Sequence, residues 1–324
     1  MSMEIIRTEA LTKQFTIKTG VFRKGHLLTA LKDVNISVRE RSVFALVGES
    51  GSGKSTLARL ILRLLRPTEG KVFFRDRDVF SLKGDELRSY RRAVQVVFQD
   101  PFASLNPRMS VYSIISEPLR IHEIVRKKED LKGRVVELLE LVGLKEEHMH
   151  RYPHQFSGGQ RQRISIARAL ALSPEVIVAD EPLSSLDVSI QAQILNLMNE
   201  LRERENLTYI FISHDLNVVN YFADRVAVMY LGRVVEEAEA EQLFNNPLHP
   251  YTELLIDSIP KLRGLADLKS GRDETRGRFR VISAAQVEGG CLFRNRCPSA
   301  KGICERHEPE LIEHAGRNIA CHLY

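Results

Sequence analysis

Long apolar runs are missing from the sequence, and none approaches the ~20 residues that a helix needs to cross a bilayer. The first residues, Met1 to Ile6, also lack the basic stretch and the following apolar stretch of a secretory signal. We therefore expect the chain to stay in the cytosol, where thiols remain reduced, and to act at a membrane only through a partner.

Cysteine is absent from the first 290 of the 324 residues, and all four cysteines lie between Cys291 and Cys321. If cysteines were placed at random, the chance that all four fall in the last 34 positions would be about 10⁻⁴. We therefore expect these four residues to share one task.

A large excess of charge of one sign is missing as well. The chain has 47 Lys and Arg against 42 Asp and Glu, a net charge of +5, and both signs interleave along most of its length. This pattern is typical of a solvated mixed surface rather than of a nucleic-acid-binding one. With 43% hydrophobic and 27% charged residues, the composition is that of a globular protein of about two domains, which excludes collagen, low-complexity disorder and a small disulfide-dense protein.

Apolar residues recur with two different periods, which predicts an α/β fold. Residues 42–47 form a short apolar run that is typical of a strand buried on both faces. Apolar residues from Leu57 to Leu65 then follow at helical spacing, and Pro67 is expected to close that helix. Residues 102–172 are predicted to be mainly helical. Further predictions are strands at 5–6, 15–17, 34–38, 176–178 and 209–212, a helix over 190–201, and a terminal hairpin over 226–235.

The residues between the strand at 42–47 and its helix, Gly48 to Ser55, fit the pattern G-x-x-x-x-G-K-[ST]. The glycines let the backbone curl so that successive N–H groups face phosphate oxygens, and the N-terminus of the helix adds a partial positive charge. We expect Lys54 to reach the β- and γ-phosphates of a nucleotide and the Ser55 hydroxyl to bind Mg²⁺.

Two acidic residues, Asp180 and Glu181, follow the apolar run at 176–178. A buried strand that ends in Asp180 places a carboxylate where it can hold Mg²⁺, and Glu181 could polarise a water molecule for in-line attack. A second Gly-rich turn, Ser157 to Arg161, opens a predicted helix and could also present N–H groups to phosphate. Such a turn, taken alone, most often only caps a helix.

These motifs and several others occur in the order found in ABC-type ATPases. The set is the loop at 48–55, Gln99, Ser157-Gly158-Gly159-Gln160, Asp180-Glu181, Ser185-Leu186-Asp187 and His214. It resembles the Walker A, Q-loop, signature, Walker B, D-loop and H-loop motifs of that family. Four further segments, 97–101, 104–109, 187–193 and 248–252, resemble the F-type ATP-binding subunits of oligopeptide/dipeptide importers. The resemblance covers nearly the full chain.

The resemblance implies an α/β P-loop fold with a mixed sheet core and a helical subdomain at about 102–172. It implies that two such domains close head to tail around two ATP molecules, each held between the Walker A side of one chain and the signature side of the other. The adenine base would stack on Phe15, with Phe22 as a weaker candidate.

The resemblance also assigns roles to individual residues. Glu181 would be the catalytic base, Gln99 would sense Mg²⁺ and the attacking water, and His214 would contact the γ-phosphate. The implied Mg²⁺ ligands are Ser55, Gln99 and Asp180. The implied ATP contacts are Phe15, Gly48, Ser50, Gly51, Ser52, Gly53, Lys54, Ser55, Thr56, Asp180, Ser157, Gly158, Gly159, Gln160 and Asp187.

We predict a boundary near residue 245 between an ATPase domain, 1–245, and a C-terminal domain, 246–324. The charged stretch from Lys261 to Arg280 is expected to be a linker or a surface loop.

The cysteine segment, 291–321, contains Cys291, Cys297, Cys304 and Cys321 without the close pairs of a zinc ribbon. Four thiolates suit a [4Fe–4S] cluster, which takes one per iron. The C-terminal domain of the peptide-importer ATPases has this cysteine pattern, so the resemblance implies a small Cys-rich metal-binding domain. A zinc site that includes nearby histidines stays open as the alternative, and so does a segment without metal.

The partners implied by the resemblance are proteins, and no nucleic acid is expected. They are a sister D-type ATPase subunit or a second copy of the chain, two transmembrane permease subunits and, indirectly, an extracellular solute-binding protein. The chain would lie peripherally on the cytoplasmic face of the cell membrane, with residues 102–150 receiving a coupling helix of the permease.

The cargo implied by the resemblance is a di- or oligopeptide, while an oligosaccharide, nickel or glutathione stays open. The rival function is that of a non-transport ABC ATPase acting on nucleic acid. The single ATPase copy, with only about 100 residues between Gly53 and Ser157, argues against that rival.

Overall fold

The computed structural model describes residues 3–17, 26–125, 127–259 and 289–324, which fold around two β-sheets. Phe22 lies outside the described residues, and so do the predicted linker at 261–280 and the loop predicted from 18 to 26, apart from the backbone of His26.

The described elements alternate between strand and helix along most of the chain. The strands are β1 (Glu4–Ile17), β2 (His26–Val34), β3 (Ser37–Arg39), β4 (Val43–Val47), β5 (Glu69–Phe74), β6 (Arg77–Asp78), β7 (Val94–Val97), β8 (Val176–Asp180), β9 (Thr208–Ile212), β10 (Arg225–Tyr230), β11 (Arg233–Glu239), β12 (Ile312–His314) and β13 (Arg317–Ile319). The helices are α1 (Lys54–Ile61), α2 (Gly84–Ala93), α3 (Pro101–Ser104), α4 (Val111–Ile121), α5 (Lys128–Leu141), α6 (Gly158–Leu170), α7 (Val188–Glu205), α8 (Leu216–Phe222), α9 (Ala240–Asn245), α10 (Pro250–Asp257) and α11 (Gly302–Arg306), with 3-10 turns at Glu146–His150 and Pro153–Gln155.

The larger sheet has a parallel centre, and its strands run in the order β12-β13-β11-β10-β4-β9-β8-β7. The predicted strands at 42–47, 176–178 and 209–212 are confirmed as neighbours in this centre. All five residues of β4 are buried, because apolar groups cover both faces of the sheet. Since parallel strands end at the same edge, the residues that follow β4, β7, β8 and β9 meet there.

The smaller sheet is antiparallel, with the order β2-β1-β5-β6 and with β3 also paired to β1. The separate strands predicted at 5–6 and 15–17 are instead the two ends of one strand, β1. Register shifts near Leu11 and the left-handed backbone of Ala10 (φ 46°) bend this strand, so that one chain segment serves several partners. Because the bend interrupts the alternating pattern, the sequence predicts two strands where the structure has one.

Helices fill most of the segment between β7 and β8, as the sequence predicts for 102–172. The apolar stripe of α5, which includes Val135, Leu138 and Leu139, is fully buried. The helix predicted to end at Pro67 was placed too long, because α1 ends at Ile61 and the chain turns at Arg63 (φ 55°). Among the described residues, no helix has the length and apolar character that crossing a membrane requires.

The hairpin of β10 and β11 is confirmed, but it is not the edge of the sheet. Strand β13 pairs antiparallel with β11, so that the last residues of the chain extend the sheet of the ATPase core. Phe293 and Tyr251 are buried in the same apolar cluster as β4 and α7. The C-terminal segment 289–324 therefore packs directly on the sheet that carries the site.

Candidate functional site

The loop from Gly48 to Ser55 connects β4 to α1 and depends on glycine for its curl. Gly48 has φ +141°, and a Cβ there would lie 2.2 Å from the carbonyl oxygen of Met229. Gly53 has φ +106°, and a Cβ there would lie 2.8 Å from the carbonyl oxygen of Ala30. A side chain at either position would force the loop out of this conformation.

Lys54 is buried at the centre of the loop, with 5% of its surface exposed. Its Nζ donates to the carbonyl oxygens of Gly48 at 2.8 Å and Glu49 at 2.9 Å. Burial lowers the pKa of Lys54, while the carboxylates of Glu181 and Asp180 act in the opposite direction. The loop and the N-terminus of α1 together form a positively polarised cradle that suits an anion.

Asp180 ends β8 beside this cradle. The hydroxyl of Ser55 donates to Asp180 Oδ1 at 3.1 Å, so two of the three residues predicted to bind Mg²⁺ are in contact. Burial raises the pKa of Asp180, and the hydrogen bond from Ser55 partly opposes this rise. Hydroxyl and carboxylate oxygens are the ligand types that Mg²⁺ prefers.

Glu181 joins three of the loops at the sheet edge. Its backbone is left-handed (φ 47°), and its N–H donates to the carbonyl oxygen of Ile212 at 2.9 Å. Its Oε2 accepts from Gln99 Nε2 at 2.9 Å and lies 3.2 Å from His214 Nδ1. The structure thus brings together the three residues that the sequence predicts as catalytic.

An open cleft of 840 Å³ runs along these residues. Its lining residues are Phe15, Leu28, Thr29, Ala30, Ser50, Gly51, Gly53, Lys54, Ser55, Thr56, Gln99, Glu181, His214 and Leu231. No sequence motif marks four of these residues, which were therefore not predicted: Leu28, Thr29, Ala30 and Leu231. The signal that could have found the first of them is strand pairing, because Leu28 on β2 lies opposite Phe15 on β1.

The second Gly-rich turn, Ser157 to Gln160, does not line the cleft. It caps α6, because Ser157 Oγ accepts from the Gln160 N–H at 3.3 Å and Gln160 Oε1 accepts from the Ser157 N–H at 3.1 Å. A Cβ on Gly159 would lie 2.5 Å from Ile190 Cγ2 on α7, which begins after Asp187. The structure therefore separates the predicted phosphate-facing residues into two sets, of which only one faces the cleft of its own chain.

The four cysteines line one small cavity in the C-terminal segment, together with Phe293 and His322. All four thiols are free. Burial raises the pKa of Cys291, Cys297 and Cys321, and neighbouring cysteines raise each of the three further. In the described ranges, no group of three or more His, Cys, Asp and Glu side chains is arranged to hold a metal ion. The predicted metal-binding character of this domain is thus not shown by the structure.

Two family models match the chain in sequence order. The ABC transporter model matches residues 31–184, which contain the loop at 48–55 and the pair Asp180 and Glu181. The model of the oligopeptide/dipeptide transporter C-terminal region matches residues 235–304, which contain three of the four cysteines.

Similar proteins match over nearly the full chain. The chain is 49% identical to the oligopeptide transport ATP-binding protein AppF of Bacillus subtilis, over 99% of this chain and 97% of that protein. It is 42% identical to the dipeptide transport ATP-binding protein DppF of Escherichia coli, over 99% of this chain and 95% of that protein. Among solved structures, the dimeric ATP-binding cassette MJ0796 bound to ADP and Pi is 32% identical with a TM-score of 0.65, covering 73% of this chain and 99% of that one.

Proposed function

The chain belongs to the ABC transporter family as an ATP-binding subunit of the oligopeptide and dipeptide importer type, and on this premise we propose that it couples ATP hydrolysis to the import of small peptides. The predicted P-loop fold of this family is confirmed. The observation that carries the proposal is the cleft in which Lys54, Ser55 and Glu181 meet. The names of the full-length relatives support peptides as the cargo.

The ATP site would be completed by a second ATPase chain. ATP would bind with its phosphates on the loop at 48–55 of one chain and under the turn at Ser157 to Gln160 of the other. Two observations support this: the turn does not line the cleft of its own chain, and the similar cassette MJ0796 is a dimer bound to ADP and Pi. Asp187 is the N-cap of α7, the helix whose Ile190 contacts Gly159, and would help to arrange the opposing site.

Each residue of the cleft has a distinct task in the proposed hydrolysis. Lys54 would bind the β- and γ-phosphate oxygens, where negative charge accumulates, and His214 would contact the γ-phosphate. Glu181 would accept a proton from the water whose oxygen attacks the γ-phosphorus, while the bond to the bridging β–γ oxygen breaks. ADP and phosphate leave, and the proton passes to solvent. The adenine would stack on Phe15, which lines the cleft.

Magnesium would be held by Ser55, Asp180 and Gln99. When bound, it would neutralise charge on the β- and γ-phosphates. The fit is supported by the contact of the Ser55 and Asp180 oxygens and by the place of Gln99 in the lining of the cleft.

The importer would contain further subunits besides this chain. They are a D-type sister subunit or a second copy, two permease subunits and an extracellular binding protein, with this chain peripheral on the cytoplasmic face of the membrane. Exposed apolar side chains on the helical subdomain support a permease contact there, notably Phe102 at 59% and Ile121 at 63% exposure.

The division into an ATPase domain, 1–245, and a C-terminal domain, 246–324, remains our proposal. Within the latter, Cys291, Cys297, Cys304 and Cys321 would hold a [4Fe–4S] cluster, with zinc as the alternative. The convergence of all four free thiols on one cavity supports it. Because so short a segment has little core of its own, such a metal centre would stabilise its fold.

The test of the proposed function is ATP hydrolysis by the importer in lipid vesicles. The chain, its sister subunit and the permease would be combined with the binding protein, and phosphate release would be followed with and without a dipeptide and an octapeptide. We expect peptide to stimulate hydrolysis and to move from the compartment that holds the binding protein into the compartment that holds the ATPase subunits. Stimulation by an oligosaccharide or nickel alone would contradict the peptide cargo.

The metal proposal is tested by elemental analysis of the chain purified without oxygen. About four iron and four acid-labile sulfide per chain would support a cubane cluster. About one zinc without sulfide would replace it with a zinc site.

A further inference from the structure

Two residues far along the chain, Tyr251 on α10 and Arg296 in the C-terminal segment, contact the phosphate-binding loop at Glu49. Arg296 makes a bidentate ion pair with the Glu49 carboxylate, with Nη1–Oε2 at 3.0 Å and Nη2–Oε1 at 2.8 Å. The Tyr251 hydroxyl accepts from the backbone N–H of Glu49 at 2.9 Å. Both the main chain and the side chain of this loop residue are therefore held by residues more than 200 positions away in the sequence.

We propose that Arg296 and Tyr251 are positioning residues for ATP: Tyr251 fixes the main chain of the phosphate-binding loop, and Arg296 neutralises the carboxylate that the loop carries. The inference rests on the proposed function, because it concerns ATP binding at the same cleft.

The main chain of Glu49 is hydrogen-bonded to Lys54. The carbonyl oxygen of Glu49 accepts from Lys54 Nζ at 2.9 Å and from the backbone N–H of Ser52 at 3.1 Å. The N–H on the other side of the same residue is held by Tyr251. Because both polar groups of the Glu49 backbone are hydrogen-bonded, the hydroxyl of Tyr251 helps to fix the loop conformation that positions Lys54 for phosphate.

The charge part follows from the position of the carboxylate. Glu49 is the second residue of a loop built to bind an anion, and an unpaired carboxylate there would repel the phosphates of ATP. Arg296 supplies a cation of matching geometry, since a guanidinium can bind both carboxylate oxygens at once. The ion pair therefore neutralises the carboxylate of Glu49.

The guanidinium of Arg296 is held rigidly, unlike that of an ordinary surface ion pair. Only 13% of the Arg296 side chain is exposed, against 41% for Glu49. Its Cζ lies 5.8 Å from the ring centroid of Tyr230, 6.0 Å from that of Tyr251 and 5.7 Å from that of Phe293. These rings restrict its rotamers, which lowers the entropy cost that weakens exposed pairs.

One of these three rings, that of Tyr230, lies at the end of β10, the strand that also supports the loop. Tyr230 ends β10, and two residues later the N–H of Gly232 donates to the carbonyl oxygen of Ser52 at 2.9 Å. The aromatic rings around Arg296 and the loop are thus fixed to the same strand, which holds the guanidinium in position to bind Glu49.

The experiment is equilibrium binding of ATP without Mg²⁺, together with steady-state hydrolysis, for the parent and two single variants. We expect Arg296→Gln to raise the Kd and KM for ATP roughly 3- to 10-fold, and Tyr251→Phe roughly 3-fold, while kcat at saturating ATP changes less than about 2-fold. The charge-matched control is Arg204→Gln, an exposed position at the end of α7, which should bind ATP like the parent.

Glu49→Gln separates charge neutralisation from a purely structural ion pair. If Arg296 acts by neutralising the carboxylate, removal of that charge should give a Kd for ATP no higher than that of the parent, because the unpaired guanidinium attracts phosphate, and Glu49→Gln combined with Arg296→Gln should bind more tightly than Arg296→Gln alone. If the ion pair only holds the two segments together, Glu49→Gln and Arg296→Gln should weaken ATP binding equally. Because Glu49→Gln leaves the C-terminal segment unchanged, it carries the test even where Arg296→Gln lowers the thermal transition.

Two results would overturn the inference: an unchanged Kd in Arg296→Gln, or equal losses in Arg296→Gln and Glu49→Gln. A parent chain that binds no ATP would instead contradict the proposed function itself, so the two failures are distinguishable.

Discussion

At the scale of residues, Gln99 and His214 fix the position of the Glu181 carboxylate. Each follows a different parallel strand, and the hydrogen bond from Gln99 and the approach of His214 both fall on the same carboxylate oxygen, Oε2. The other oxygen, Oε1, has no hydrogen bond among those of the described residues, and it can accept a proton from water. The sequence predicted these residues through their motif order, whereas Arg296 and Tyr251 were missed because nothing local in the sequence relates them to Glu49.

Glu181→Gln is predicted to bind ATP like the parent and to lower turnover by roughly 10²- to 10⁴-fold, the usual contribution of a general base. The amide keeps the size of the side chain but cannot take the proton of the attacking water. Phosphate release measured alongside ATP binding checks this, with the exposed Glu203→Gln as the control. Parental turnover in Glu181→Gln would remove Glu181 from the role of base.

At the scale of elements, the contact between α6 and α7 decides where the signature turn lies. Gly159 is packed so closely on Ile190 that an added Cβ would lie 2.5 Å from Ile190 Cγ2, so that either this side chain or the turn would have to shift, whereas a Cβ on Gly133 in α5 would meet no atom within 4 Å. The sequence predicted both helices, but not this close approach, because a helix boundary gives no information about the distance between two helices.

Gly159→Ala is therefore predicted to keep ATP binding in the cleft of its own chain and to reduce hydrolysis roughly 10-fold or more, because the displaced turn can no longer meet the second ATP site. Gly133→Ala is the matched control and should hydrolyse ATP like the parent, with slightly higher stability as expected for Ala in a helix. Equal effects of the two substitutions would show that the contact with α7 does not matter.

Helix α10 is capped by His249 in a way that depends on pH. Its Nδ1 accepts from the Tyr251 N–H at 3.0 Å, which requires the neutral ring, and its N–H group on the backbone donates to Glu236 at 2.9 Å. Burial lowers the pKa of His249 from 6.5 to about 4. The unfolded chain therefore takes up the proton first, so the stabilisation is complete above pH 6.5 and is lost as the pH falls from 6.5 toward 4.

We predict that the parent loses about 3 kcal/mol more stability than His249→Asn between pH 7.5 and pH 4, because Asn can cap the helix without titrating. Urea unfolding followed by circular dichroism at several pH values checks this, and the exposed His150→Asn should follow the parent. Parallel curves for the parent and His249→Asn would contradict the cap as the origin of the pH dependence.

At the scale of the whole molecule, the C-terminal segment is part of the sheet that carries the proposed ATP site. The strands at 42–47, 176–178 and 209–212 were predictable, because a strand buried on both faces is a continuous apolar run. The strands and helix between 69 and 97 were not predicted, and neither was the pairing of β13 with β11. Pairing of β13 with β11 depends on contacts between distant segments, which local patterns do not record.

In the site, too, residues marked by local patterns could be predicted and residues brought in by distant contacts could not. The loop at 48–55 could be read from sequence because its function requires residue types at fixed spacing, while Leu28 to Ala30 and Leu231 take part through their position in the fold. The cysteines stood out by their clustering, and their convergence on one cavity fits a shared task without identifying the group they hold.

Equilibrium ATP binding to the purified chain and to Lys54→Ala tests the placement of the nucleotide most directly, with Lys71→Ala on the exposed surface of β5 as the charge-matched control. We predict that Lys54→Ala weakens ATP binding roughly 100-fold, because Lys54 is the only Lys or Arg among the described residues that line the cleft, while Lys71→Ala binds like the parent. Parental ATP affinity in Lys54→Ala would contradict the placement of the nucleotide in this cleft.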